Sequence, residues 1–189
     1  MRKIIFFIIL LFSSINSFAE NKEEPLVAFS TTLGTFQVVF FKEKQPDLVD
    51  FFLKAVNSGF YNNLIFHRII DGFVIQSGAY DEKFNLKSLD FHSRFSVSHT
   101  PLKNAYGTLS LILKKDNSTS SLPQFFINLA DNSNLNSNEG NTHYEVIGKV
   151  ISGMEVIEKI AHIKVGQREG MHNTPFYPNE SLITALRQL

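Results

Sequence analysis

One stretch constrains this chain more than any other part of its sequence. Residues 66–76 read Phe-His-Arg-Ile-Ile-Asp-Gly-Phe-Val-Ile-Gln, which predicts two short strands interrupted by a turn at Asp71 and Gly72. These strands carry an arginine, two phenylalanines and a glutamine. A permanently charged, forked donor beside aromatic surface suits a site that binds an amide better than a site that breaks a bond.

Hydrophobic periodicity along the rest of the chain predicts a mainly β domain. Alternating runs predict a hairpin around Leu33 and Gly34, and apolar residues at helical spacing predict two helices, over 47–58 and 154–163. Residues 79–105 form a long polar excursion with little regular structure expected. The remaining strands are expected at 107–113, 123–130, 144–151 and 183–189.

Composition excludes several classes of function. The 189 residues are 43% hydrophobic, enough for one domain with a core, and 18 basic residues balance 18 acidic ones. This balance gives no electrostatic case for a nucleic-acid partner. The chain has no cysteine, which excludes a disulfide scaffold and a thiol nucleophile. Phosphate loops and serine-nucleophile motifs are absent, and His143 with Glu145 lacks partners at metal-ligand spacing, so neither a cofactor nor a metal is expected.

The N-terminus has the pattern of a secretory signal peptide. Arg2 and Lys3 precede an apolar run over residues 4–12, and Ser17-Phe18-Ala19 is a small–x–small cleavage motif. The alternative is an uncleaved anchor helix, but the apolar run is short for spanning a bilayer. We therefore expect a signal peptide at 1–19, followed by a single domain at 20–189 that is not stably inserted in a membrane. Its expected location is the periplasm, with secretion as the alternative.

Four segments together resemble the cyclophilin family of peptidyl-prolyl isomerases. Besides residues 66–76, they are Gly-Thr-Leu-Ser-Leu at 107–111, Gln-Phe-Phe-Ile-Asn at 124–128 and Ile-Gly-Lys-Val-Ile-Ser-Gly-Met at 147–154. Their order and separations match those of the family, and the resemblance extends from about Leu26 to Leu189. The signal peptide and the lack of cysteine are similar to those of exported bacterial members.

The resemblance implies a fold and an activity. The fold would be a closed eight-stranded antiparallel β-barrel capped by two α-helices, with an active groove on its outer face. The activity would be cis–trans isomerisation of X-Pro bonds in proline-containing polypeptides during the folding of exported proteins. It would need no cofactor, and the protein is expected to be a monomer.

The resemblance also assigns roles to residues. Arg68, Phe73 and Gln76 would be catalytic, with Arg68 donating to the prolyl nitrogen and Gln76 steadying it. The alternative for Arg68 is a surface arginine paired with a carboxylate. His67 would point the opposite way along the strand, as a structural histidine. The expected substrate-binding residues are Val74, Ile112, Leu113, Gln124, Phe126, Leu135 and Tyr144.

Strand alternation refines one of these assignments. Gln124 and Phe126 should lie on one face of their strand, and Phe125 on the other, in the core. A second function stays open: a cyclophilin-fold chaperone or adaptor that binds proline-containing segments with little catalysis. Val74, Ile112 and Lys114 differ from the residues usual in the family, which favours that alternative, whereas the retained Arg68 favours the enzyme.

Overall fold

The computed structural model describes residues 23–89, 102–114, 123–136 and 142–189. The predicted signal peptide lies outside this part of the chain, and among the described residues no helix is long and apolar enough to cross a membrane. The helices are α1 (Pro46–Asn57) and α2 (Met154–Ala161). The strands are β1 (Leu26–Thr31), β2 (Gly34–Phe40), β3 (Leu64–Ile65), β4 (Arg68–Ile70), β5 (Val74–Ser77), β6 (Thr108–Lys114), β7 (Phe125–Asn128), β8 (Thr142–Ser152), β9 (Val165–Arg168), β10 (Met171–Pro175) and β11 (Leu182–Gln188).

Nine of these strands form one antiparallel sheet that curls around the core. Their order is β3-β11-β1-β2-β8-β6-β7-β5-β4. The prediction of a mainly β fold with two helices is confirmed, but the sheet differs from a closed eight-stranded barrel in number and closure. In the described part of the chain β3 and β4 are its two edges, and no ladder joins them. Only the two residues Phe66 and His67 separate these edge strands, so the sheet comes close to closing without pairing there.

The interior of the curled sheet is aromatic. Phe29 stacks on Phe36 with ring centroids 4.7 Å apart, and Phe52 of α1 stacks on Phe40 at 4.9 Å. Phe125 meets Phe52 edge-on at 5.7 Å. All five side chains are fully buried. Since burying one such ring stabilises a fold by roughly 1.5–3 kcal/mol, this cluster makes a large contribution to a core without disulfides.

The two helices begin and end at residues that the sequence marks. α1 starts with Pro46, which suits the first turn because that turn has free backbone N–H groups anyway, and it is followed by Gly59 with φ +71°. α2 is preceded by Gly153 with φ +80°, where a Cβ atom would lie 2.6 Å from the Cα atom of Phe36. Glycine is therefore required at this position. α1 packs on β11, and α2 packs on β2, β4 and β5.

One hairpin was not predicted from the sequence. β9 and β10 pair in a separate two-stranded sheet, with a turn at Glu169 (φ +47°) and Gly170 (φ +84°). Both strands are short and mostly polar, so they lack the apolar alternation that marks a strand in sequence. The hairpin lies against β4, the strand that carries Arg68.

Candidate functional site

Three neighbouring strands place Arg68, Gln76 and Phe126 in one row. Arg68 on β4 pairs with Gln76 on β5, and Gln76 pairs with Phe126 on β7. Directly paired residues share a face of the sheet, so these three side chains project from the outer face. Phe125, the neighbour of Phe126 on β7, is fully buried in the core, as strand alternation predicted.

Two side-chain hydrogen bonds link the polar residues of this row. Arg68 Nη1 donates to Gln76 Oε1 at 3.4 Å, and Gln76 Nε2 donates to Gln124 Oε1 at 2.8 Å. Arg68 is half-buried and forms no ion pair with a carboxylate among the described residues. The alternative of a carboxylate-paired surface arginine therefore finds no support here. A guanidinium has five N–H donors, so one bond to Gln76 still allows Arg68 to donate to a ligand in the groove.

The row forms one side of a cavity of about 390 Å³. This volume lies within the range typical of small-ligand pockets. Arg68 and Gln76 supply its polar side, and the rest of its wall is largely apolar. Phe126 and Tyr144 meet there edge-on, with ring centroids 5.4 Å apart. The lining residues are Arg68, Phe73, Val74, Gln76, Ile112, Phe126, Leu135 and Tyr144.

The structure thus brings together most of the predicted site residues. Gln124 does not line the cavity but supports it through its hydrogen bond with Gln76. The side chain of Leu113, predicted as a substrate-binding residue, does not line the cavity, because it belongs to the core. On β6, Ile112 pairs with Tyr144 and faces outward, so its neighbour Leu113 must face inward. The side chain of Lys114 lies outside the described part.

His67 lies behind the groove. It is buried and packs edge-on against Tyr80, with ring centroids 5.0 Å apart. Burial, reinforced by the charge of Arg68, lowers the pKa of His67 to about 4. Nδ1 of this ring has no hydrogen-bond partner in the described structure. A neutral imidazole at physiological pH leaves Arg68 as the charged group that lines the cavity.

Sequence reasoning missed a polar cluster beside the groove. Asn132 Nδ2 donates to the carbonyl oxygen of Phe73 at 2.9 Å and to Asn128 Oδ1 at 2.8 Å. Strand parity contained a signal, because Asn128 follows Phe126 by two residues and so projects from the same face. Among the described residues, no group of three or more metal-ligating side chains is present.

Comparison with known proteins places this geometry in a family. Residues 26–179 match the family model of the cyclophilin type peptidyl-prolyl cis-trans isomerase/CLD. The chain is 36% identical to peptidyl-prolyl cis-trans isomerase A of Dickeya dadantii over 154 residues, covering 80% of this chain and 79% of that protein. It is also 36% identical to isomerase B of Escherichia coli over 161 residues, covering 84% and 95%.

Solved structures agree in fold. A crystal structure of a cyclophilin type peptidyl-prolyl cis-trans isomerase of Cryptosporidium parvum superposes with a TM-score of 0.65 at 24% identity, covering 88% of this chain and 98% of that one. The family match, the bacterial relatives and the shared fold lead to the same result. The chain belongs to the cyclophilin-type peptidyl-prolyl cis-trans isomerase family and is an isomerase of this type.

Proposed function

We propose that this isomerase accelerates X-Pro bond rotation during the folding of exported proteins, with Arg68 stabilising the twisted amide. The observation that carries the proposal is the position of Arg68. Its guanidinium lies on the polar side of the cavity, opposite an apolar wall that includes Phe73, Phe126 and Leu135, and it donates a hydrogen bond to Gln76. An apolar wall beside a guanidinium donor suits a proline ring and the amide before it.

The chemistry follows from the amide itself. Partial double-bond character of the C–N bond makes rotation slow, with a barrier of roughly 18–20 kcal/mol. The nitrogen of a planar amide is a poor acceptor, but on twisting it regains its lone pair. A donor placed at that nitrogen therefore stabilises the twisted state more than either planar isomer, which is the differential binding that catalysis requires. An arginine is always protonated and offers several fixed donors.

The other groove residues contact the substrate on either side of the X-Pro bond. Phe73, Phe126 and Leu135 hold the proline ring, and Val74 completes the apolar wall. Ile112 and Tyr144, paired across β6 and β8, border the part of the groove that receives the residues before the proline. The Cryptosporidium parvum enzyme was crystallised in the presence of the dipeptide Ala-Pro, which supports the same substrate class for this chain.

The proposal of export rests on the N-terminal sequence. The basic residues Arg2 and Lys3, the apolar run and the Ser17-Phe18-Ala19 motif together have the order of a cleaved signal peptide. Chains that have just crossed a membrane carry their prolines in mixed isomers, and the uncatalysed exchange takes tens to hundreds of seconds. We infer that the processed protein acts on such chains in the periplasm.

A refolding experiment tests this function. The processed protein is added to a model substrate whose slow refolding phase is limited by proline isomerisation. We expect the slow phase to accelerate in proportion to the concentration of the isomerase, and a proline tetrapeptide to isomerise faster as well. Peptide binding without acceleration of either reaction would contradict the proposal and support a proline-binding chaperone instead.

A further inference from the structure

Beside the groove, three buried asparagines lie on the outer side of the sheet. Asn128 follows Phe126 on β7, so both side chains project from the same face. Asn104 and Asn132 cover it from two loops. Asn104 is 2% exposed, Asn128 0% and Asn132 6%. Buried amides of this kind are costly unless each is hydrogen-bonded, and nothing in the catalytic roles above uses them.

Short hydrogen bonds join these asparagines into one network. Asn132 Nδ2 donates to Asn128 Oδ1 at 2.8 Å, and Asn128 Nδ2 donates to Thr108 Oγ1 at 2.9 Å and to Asn104 Oδ1 at 3.2 Å. Ser110 Oγ also donates to Asn104 Oδ1, at 2.7 Å. Linked amides hold one another in single rotamers, so a satisfied buried network of this kind is rigid.

The network ends on two walls of the groove. Asn132 Nδ2 donates to the carbonyl oxygen of Phe73 at 2.9 Å, and the carbonyl oxygen of Asn132 accepts from the backbone N–H of Leu135 at 3.0 Å. Phe73 and Leu135 both line the 390 Å³ cavity. One asparagine therefore connects two separate segments whose side chains shape the same pocket.

A second connection fixes the segment that carries Leu135. This segment is a short 3-10 helix over Ser133–Asn136. Asn136 Oδ1 accepts from the backbone N–H of Asn104 at 2.8 Å and from Asn104 Nδ2 at 3.0 Å. Both ends of this helix are thus attached to the buried network, which in turn is attached to β6 and β7.

We propose that Asn104, Asn128 and Asn132 are positioning residues that set the separation of Phe73 and Leu135, and thereby the affinity for the proline ring. The inference rests on the proposed function of the groove. The two walls contact a bound ring in the planar and the twisted states alike. Interactions of equal strength in both states lower KM without changing kcat. The network therefore governs substrate binding, whereas Arg68 governs the barrier.

The substitution Asn132→Asp tests the proposal. Aspartate has the same size, but its carboxylate cannot donate and would face two acceptors, Phe73 O and Asn128 Oδ1. In a protein that circular dichroism shows to be folded, KM and the directly measured Kd for a proline tetrapeptide should rise by roughly tenfold, which corresponds to a loss of about 1.4 kcal/mol of binding free energy. We expect kcat to stay close to the wild-type value.

Two further variants separate positioning from mere stabilisation. Thr31→Ala removes a side chain that also makes two backbone hydrogen bonds, at the β1–β2 turn. It should lower the melting temperature and leave KM and Kd unchanged. Asn136→Ala weakens only the outer end of the network, so it should raise KM and Kd by a smaller factor. It provides the same test if Asn132→Asp does not fold.

Two results would overturn the inference. One is a folded Asn132→Asp or Asn136→Ala protein that binds peptide as tightly as wild type. The other is a loss of kcat at unchanged KM, which would mean that the network affects the activation barrier and not substrate binding. If the wild-type protein binds peptide without isomerising it, the proposed function fails, and the Kd comparison still decides whether these asparagines position the pocket.

Discussion

At the scale of single residues, side chains that are adjacent in sequence lie on opposite faces of the sheet, because strand residues alternate between the two faces. His67 and Arg68 are neighbours in sequence, but one is buried and neutral and the other borders the cavity. Phe125 and Phe126 are likewise divided between the core and the groove. Outward-facing residues of these strands form the groove, and inward-facing residues stabilise the fold. Substitutions can therefore test the two contributions separately.

The two phenylalanines of β7 provide a matched test of this separation. Phe126→Ala should leave the protein folded and weaken the binding of a proline peptide by about tenfold or more, since a ring that packs on the ligand is lost. Phe125→Ala should instead destabilise the protein by roughly 3–5 kcal/mol, because it opens a cavity in the core. Chemical denaturation and peptide titration of both variants measure these effects. Unfolding of Phe126→Ala alone would mean that the two faces are reversed.

At the scale of an element, β8 carries a carboxyl group on its core-facing side. Glu145 pairs with the core residue Leu111 and is 2% exposed. Its hydrogen bond is donated by Gln45 Nε2 to Glu145 Oε2 at 3.4 Å. Burial raises the pKa of Glu145 to about 6. The folded state therefore holds this proton more tightly than the unfolded state, and stability is lost as pH rises from about 4.5 through 6.

The substitution Glu145→Gln should remove that loss. At pH 7.5 the variant should have a free energy of unfolding higher than wild type by at most about 2 kcal/mol, the value that corresponds to this pKa shift. The difference should shrink through pH 6 and vanish below pH 4.5, where wild-type Glu145 is protonated in both states. Denaturant titrations across this range measure it, with Glu155→Gln on the exposed face of α2 as the control. A gain that is the same at pH 4 and pH 7.5 would contradict the explanation.

The sequence alone was sufficient to predict the elements whose hydrophobic pattern reflects burial of one face. The hairpin of β1 and β2, the helix ended by Gly59 and the outward position of Phe126 follow from alternation, periodicity and turn residues. The β9–β10 hairpin could not be predicted in this way, because its mostly polar strands lack the apolar alternation that marks a strand in sequence. The inward position of Leu113 required the correct parity of β6, which is fixed by the pairing of Ile112 with Tyr144. The burial of Asn104 and Asn132 required tertiary contacts, since isolated asparagines in loops indicate only turns.

At the scale of the whole molecule, a nine-stranded curled sheet supports the groove on its outer face and a phenylalanine-rich core on its inner face. A chain without cysteine depends on such a core for its stability, because it gains nothing from disulfides. The groove in turn draws residues from β4, β5, β6, β7 and β8. Any variant that loosens the sheet should therefore alter the site, whereas groove variants should leave the sheet intact.

Export is a prediction about the chain as a whole. Cleavage after Ala19 should give a mature protein whose first residue is Glu20, because the Ser17-Phe18-Ala19 motif follows a basic and then an apolar segment. Mass spectrometry of the protein from a periplasmic or secreted fraction measures this directly. Intact Met1 on a protein that remains with the membrane would instead indicate an uncleaved anchor.

The measurement that tests the central claim most directly is the isomerisation rate of a proline tetrapeptide with wild type, Arg68→Ala and Arg68→Lys. If Arg68 stabilises the twisted amide, Arg68→Ala should lower kcat by roughly 10²–10³-fold, the scale of losing one preorganised donor. Peptide affinity should fall much less. Arg68→Lys should restore only part of the rate, since an ammonium lacks the planar fork. An Arg68→Ala protein that isomerises the peptide as fast as wild type would contradict this account.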